Sequence, residues 1–245
     1  MKARLGTRAH PTRWTVGYLV LKRLSTYVKQ SVDQRGLSVN SVVVDVGCGD
    51  MPYREFFPDN MTYLGLDNPA AGKSKVSGET PSSVSSQGRM FGSAEFLPLR
   101  DDCADLVLCT QVLEHVDNPF AVVNEIERVL KRGGTVLLST HDVFPVHPCP
   151  GDYWRWTDAG LMKLFKDFNH VRVLECCSTM GTFAYLVEDQ LSYRSSGSAL
   201  SVRGLFGLVA RWGVNFLGEA LEKVPFVTWT NNRPLVGVYL VVATK

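Results

Sequence analysis

Three groups of residues in this 245-residue chain have types and spacings that could do chemistry. The first is VVVDVGCGD, residues 42–50, where a β-branched run delivers Asp45, Gly47 and Gly49 in the order Asp-x-Gly-x-Gly. Glycines just beyond a strand let the backbone approach a ligand closely and turn sharply into a helix. A dinucleotide loop carries a third Gly or Ala three positions later, where the pyrophosphate sits. Here that position is Pro52, and Asp50 adds a carboxylate. A carboxylate beside pyrophosphate is electrostatically unfavourable, whereas beside an ammonium or sulfonium it is not. The loop therefore favours a positively charged nucleoside over NAD.

The second is Asp67, 22 positions after Asp45 at the end of the segment MTYLGLD. An acid at that place can accept both ribose hydroxyls of a nucleoside; its plainer reading is a turn former, since Asp-Asn-Pro is turn chemistry. The third is HDVFPVHPCPGDYWRWT, residues 141–157, which gathers His141, Asp142, His147, Asp152, Tyr153, Arg155 and two tryptophans between prolines. A salt bridge of Asp152 with Arg155, a helix cap at Thr157 and tryptophans filling core would account for the same residues without chemistry.

These groups need elements to position them. Residues 16–30 place Val16, Leu19, Val20, Leu24, Tyr27 and Val28 at helical spacing, with Gly36 as a stop. The run 42–47 reads as a strand buried on both faces, followed by strands at MTYLGLD, at 104–110 and at 135–140. Between the last two, a helix over 119–131 is expected, with Phe120, Val123, Ile126, Val129 and Leu130 apolar and Gly133–Gly134 as its left-handed stop. A helix over 157–168, a strand at 171–177 and a last strand at 234–244 complete the pattern. Strands alternating with helices imply a doubly wound α/β sheet, with ligands at the carboxyl edge of its strands. Residues 68–92, rich in Ser, Gly and Lys, read as a long loop; their AGKS lacks the upstream glycine of a phosphate loop, since Asp67 stands there.

Composition is ordinary for a globular protein, with 45 % hydrophobic and 20 % charged residues. A net charge of +2 gives no basic stripe, so no nucleic-acid partner is expected. The cysteines at 48, 103, 109, 149, 176 and 177 show no CxxC zinc spacing and read as buried thiols in a reducing cytoplasm. Nothing in the sequence requires a metal. The basic N-terminus lacks the apolar core of a secretory signal and no run is long enough to span a bilayer, so a cytoplasmic location is expected.

Taken in order, DVGCG, LGLD, SAEFLPLRDDCADLVLCTQVLEHV and RVLKRGG resemble the class I S-adenosylmethionine (SAM)-dependent methyltransferases, in particular the type 11 methyltransferase domain group, over roughly residues 40–170. The resemblance implies a Rossmann-like sheet of seven strands, mostly parallel with the last antiparallel. Carried over by position, Asp45, Gly47 and Gly49 would line the methionine part of SAM, Asp67 the ribose, Asn68, Ala94 and Glu95 the adenine, and Gln111 the cofactor amine. Ser93 departs from the pattern, standing where an Asp commonly receives the adenine amine. His115 would belong to the scaffold beside the cofactor. Met51, Pro52 and Tyr53 would either cover the cofactor or pack in the turn. Methyl transfer to a hydroxyl needs a base, which makes His147 and His141 candidate bases, Asp152 an orienting acid, and Tyr153 and Arg155 candidate substrate contacts, Arg155 as a clamp for an anion.

The implied organisation is an N-terminal helical extension (1–40), the SAM-binding core (41–185), a helical insert (186–232) and the last core strand (233–245). In the insert, Leu205, Phe206, Leu208, Val209, Trp212, Phe216 and Leu217 share much of a helix surface beside Arg203 and Arg211. That pattern suits a lid or homodimer helix, or a peripheral membrane contact, through 200–222. The expected activity is methyl transfer to O or N of a small molecule, a sugar or lipid-linked intermediate among the options. The competing readings are an NAD-dependent oxidoreductase and a SAM-fold binding protein without catalysis.

Overall fold

The computed structural model describes residues 6–68, 89–147, 151–194, 202–223 and 234–245. AGKS, Cys149 and parts of the 186–232 insert lie outside the described residues. The chain divides into two compact units, one made of 1–27, 143–145 and 175–238, the other of 28–142, 146–174 and 239–245.

The larger unit is organised by a sheet. Its strands are β1 (Val42–Val46), β2 (Thr62–Asp67), β3 (Arg89–Phe91), β4 (Ala104–Thr110), β5 (Leu130–His141), β6 (Asn169–Glu175) and β7 (Val238–Thr244), in the spatial order β3-β2-β1-β4-β5-β7-β6. β1 pairs in parallel with β2 and β4, β2 with β3, and β4 with β5. β7 runs antiparallel, as the reciprocal bonds of Gly133 and Gly134 with Lys245 at 3.0 Å show. The order reverses at β1, so the loops after β1 and β4 face each other across the crevice where such sheets bind ligands.

Local chemistry explains the elements. Val43, Val44, Val46, Leu106, Val107 and Leu108 are fully buried, as expected for strands covered on both faces. The helix α2 (Pro119–Val129) starts at Asn118, whose side chain accepts the Ala121 N–H, with proline in the first turn. It buries Val122, Val123, Ile126 and Val129, while Phe120 is exposed. Gly133 and Gly134 do not stop this helix. It ends at Val129 with Leu130 already extended, and Gly133, at φ 78°, lies within β5 where that strand meets the end of β7. The expected loop 68–92 is also corrected at its end, because Arg89–Phe91 extends the sheet as its edge strand. No α-helix follows the glycine loop directly; a short 3-10 turn, Arg54–Phe56, does, with Tyr53 packed inside. The helix α3 (Asp158–Leu164) is capped by the Thr157 side chain and is shorter than expected.

The smaller unit holds most of α1 (Tyr18–Asp33), with α4 (Thr179–Arg194) and α5 (Val202–Leu221). Tyr18, Leu19 and Ala184 form its core beside Val214. Glu188, fully buried, accepts from Gly17 N at 2.8 Å and from Asn215. Asn215 also donates to the Arg13 carbonyl, and Arg211 donates to the Trp14 carbonyl and to Ser192. Arg211 thus turns toward the N-terminal segment, while Val209, Trp212, Phe216 and Leu217 are exposed along α5. No described helix is long and apolar enough to cross a membrane.

Candidate active site

The site is built on the carboxyl ends of β1, β2, β4 and β5. At the end of β1, Gly47 (φ 68°) and Gly49 (φ 47°) take the left-handed conformation that favours glycine. A Cβ on Gly47 would stand 2.3 Å from Val112 Cγ2, whereas nothing lies within 4 Å of one on Gly49. The loop is pinned to β2: the N–H groups of Gly47 and Cys48 both donate to the Leu66 carbonyl, at 2.7 and 3.0 Å.

Two carboxylates flank this loop. Asp45 is buried beneath it, and Tyr63 donates its hydroxyl to Asp45 Oδ2 at 2.6 Å. Burial raises the Asp45 carboxyl to about 7; the Tyr63 bond opposes the rise and the negative charge of Asp67 adds to it. Asp67 ends β2 and accepts from Gly49 N at 3.2 Å and Arg89 Nη2 at 3.2 Å through Oδ2, and from Asn68 N through Oδ1. Arg89 and Tyr63 are thus parts of the site that the sequence reading missed. Tyr63 was legible as the inward residue of β2 on the strand beside Asp45, but Arg89 lay inside a stretch read as loop.

At the end of β4, Gln111 is held at φ 58°, a strained conformation for this residue, and donates Nε2 to Ser139 Oγ at 3.1 Å. Ala94 and Glu95 lie in the turn after β3. Ser93 Oγ accepts the Glu95 N–H, and Glu95 Oε1 accepts from Asn118 N at 2.7 Å, ahead of α2. Asp45, Gly47, Gly49 and Asp67 are linked through β1 and β2, whereas Glu95 joins the lead into α2.

A second constellation stands at the ends of β4 and β5. Glu114 and His115 lie in a short 3-10 turn after β4, His141 closes β5, and His147 follows it. The His147 ring makes edge contacts with both His115 and His141, at 5.1 and 5.3 Å between centroids. His147 Nδ1 is 3.3 Å from Asp152 Oδ2, which also accepts the His147 N–H at 2.9 Å. Arg155 grips Asp152 with both terminal nitrogens, at 2.5 and 2.7 Å, and holds its carboxyl below the usual carboxylate range. The salt bridge and the Thr157 cap of the plainer reading are therefore both present. His141 is buried, its Nε2 3.6 Å from Glu114 Oε1, while the His147 side chain is 34 % exposed. Tyr153 is exposed and Trp156 buried. Burial raises the Glu114 carboxyl.

The sheet order and the glycine loop belong to a Rossmann-like α/β fold similar to that of class I SAM-dependent methyltransferases. Residues 44–138 match the family described as "Methyltransferase domain". An uncharacterized methyltransferase of Mycobacterium leprae is 35 % identical over 103 residues, covering 41 % of this chain and 37 % of the relative. A ubiquinone biosynthesis O-methyltransferase of Pseudomonas syringae is 30 % identical over 111 residues, covering 44 % of this chain and 48 % of that protein. The chain thus spans less than half the length of these curated relatives. Among solved structures, phosphoethanolamine N-methyltransferase 2 of Haemonchus contortus, in complex with SAM, superposes with a TM-score of 0.54 at 14 % identity, covering 89 % of this chain and 52 % of that one.

Proposed function

We propose that the protein transfers the methyl group of SAM to an oxygen or nitrogen of a small molecule. The observation that carries this reading is the convergence, on one sheet edge, of an anionic glycine loop and a histidine cluster with an oriented base. The residues present fit the cofactor: Gly49 opens onto free space, Asp67 ends the adjacent strand, and Asp45 supplies a buried carboxyl whose ionisation a bound cation would favour. Asp45, Gly47 and Gly49 would hold its methionine part, Asp67 its ribose, Asn68, Ala94 and Glu95 its adenine side, and Gln111 its amine. When bound, SAM supplies a sulfonium methyl to the acceptor's lone pair, and the C–S bonding pair stays on sulfur.

The chain's own part is proximity and proton removal. His147, more accessible than His141, takes the acceptor's proton on Nε2, and Asp152 fixes Nδ1–H. This is the base-plus-orienter arrangement that makes a histidine effective near neutral pH. Arg155 holds Asp152 in place, and Tyr153 faces the acceptor. The O-methyltransferase name of one relative supports an oxygen acceptor. The exposed row on α5 supports a contact through 200–222 with a second copy or a membrane surface.

Thermal unfolding with S-adenosylhomocysteine (SAH), with NAD(H) and with neither tests the cofactor. Ligand at about a hundred times its Kd adds about 2.7 kcal/mol, or roughly 5 to 10 °C for a chain of this size. A rise with SAH alone, blunted in Asp67→Ala, is expected; a rise with NAD(H) instead overturns the proposal. Release of SAH from SAM with an acceptor library then separates an enzyme from a binding protein.

A further inference from the structure

Glu114, His115 and His147 each offer one donor atom, and these three atoms lie within 4.8 Å of one another. Their surroundings set this meeting apart from a chance cluster. His115 Nδ1 meets the Gly151 carbonyl, which can only accept, so the proton sits on Nδ1 and the lone pair on Nε2. His147 Nδ1 faces the Asp152 carboxylate, itself gripped by Arg155, and the same tautomer follows. Metal-binding histidines characteristically turn their second ring nitrogen to a carbonyl or carboxylate; here His115 Nδ1 meets the Gly151 carbonyl and His147 Nδ1 stands 3.3 Å from the Asp152 carboxylate.

The carboxylate adds an independent sign. Glu114 is fully buried, and its Oε2 accepts from Thr140 Oγ1 at 3.0 Å. Oε1 has no hydrogen-bond partner; His141 Nε2, at 3.6 Å, is beyond hydrogen-bond reach. A buried carboxylate oxygen left unbonded is costly unless something completes it, and it belongs to the same three-residue group as the two imidazoles.

We propose that Glu114, His115 and His147 form a binding site for one divalent first-row transition ion, Zn2+ being the fitting probe. Two imidazoles and a carboxylate match the two-histidine, one-carboxylate sets of zinc and non-haem iron sites, and differ from the all-oxygen shells of Mg2+ and Ca2+. Small side-chain rotations bring donors no more than 4.8 Å apart to the roughly 3.4 Å separation around a tetrahedral ion with bonds of about 2.1 Å. The partly exposed His147 gives an entry path and leaves a coordination position open to solvent or substrate. For catalysis this rests on the methyl-transfer reading: an ion bound here would occupy the Nε2 lone pair of His147, so His147 would serve as a base only in the metal-free protein and the ion would instead supply Lewis-acid polarisation of the acceptor.

The test uses the whole chain, stripped with chelator, without SAM. Equilibrium dialysis against Zn2+ is expected to give one ion per chain. Co2+ is expected to give visible ligand-field absorption without the near-ultraviolet thiolate charge-transfer band that cysteine ligation produces. Affinity is expected to fall at least tenfold in His147→Ala and in Glu114→Gln, and 10–100-fold in Asp152→Asn through loss of the outer contact. Should Glu114→Gln fail to fold, His147→Ala decides, because its side chain is partly exposed. No saturable uptake, uptake unchanged in His147→Ala, or a dominant thiolate band overturns the site. SAH-induced stabilisation, measured on the same metal-free samples, reports on the cofactor reading alone, so failure of either proposal is seen separately.

Discussion

Replacing Asp45 by Asn is expected to stabilise the ligand-free protein above neutral pH while weakening its cofactor site. Asp45 is 1 % exposed at the base of the glycine loop. Burial lifts its carboxyl from 3.8 to about 7, which corresponds to on the order of 4 kcal/mol between its two protonation states. A raised carboxyl stabilises the fold fully below its unfolded value, near 4, and that contribution is lost as pH rises through about 7. Asn imitates the protonated acid and keeps an oxygen for the Tyr63 hydroxyl. At pH 8 the variant should therefore unfold at a higher temperature than the wild type, by roughly 8 to 16 °C, and the gap should close near pH 4. SAH affinity, read by calorimetry at pH 8, should fall roughly 10- to 100-fold, the cost of a lost charge-assisted contact of about 1.5–3 kcal/mol. An Asp45→Asn protein that is no more stable at pH 8, or whose gap is the same at pH 4 and pH 8, would refute the reasoning, since Asp45 would then carry its charge at no cost.

Two further substitutions probe other parts. Gly47→Ala must place a Cβ against Val112 at φ 68°, so stability should drop by about 1–3 kcal/mol and SAH should no longer raise the melting temperature; an unaltered SAH response would show that the loop tolerates a side chain. Glu188, raised by burial to about 8, stabilises the smaller unit below about pH 4.5 and loses that contribution as pH rises through 8. Glu188→Gln should flatten this decline, as read by amide hydrogen exchange of residues 13–17 at pH 6 and pH 9; equal pH dependence in both proteins would contradict it.

Much of the sheet was legible because both-face burial demands continuous β-branched runs, as in VVVDV, and because glycines at a strand end leave few alternatives. What failed depended on partners distant in sequence. Gly133 looked like a helix stop because it follows an apolar run at helical spacing, yet the end of β7 draws that segment into β5, and Lys131 pairs with Asp105. Arg89 was hidden in a polar stretch because an edge strand of three residues carries no periodicity; only Asp67 and the register of β2 give it a place. The 141–157 loop stood out by composition. However, the grouping of His147 with Glu114 and His115 joins segments about 30 residues apart and could not be read from spacing.

That grouping also ties the two halves of the site together mechanically. Residues Gln111–Val116 lead from the carboxyl end of β4 into the histidine cluster, and the 151–156 loop is fastened to them at three points. Tyr153 N donates to the Glu114 carbonyl at 2.7 Å, Trp154 Nε1 to the Val116 carbonyl at 2.9 Å, and His115 Nδ1 to the Gly151 carbonyl. The strained Gln111 stands at the head of this segment, with Val112 against the Gly47 backbone. Val112 thus stands between the glycine loop and Glu114–His115, which are fastened to the loop that carries Asp152. On the proposed function, a substitution at Val112 is expected to weaken both SAH-induced stabilisation and methyl transfer; a variant that loses only one of them would contradict this link.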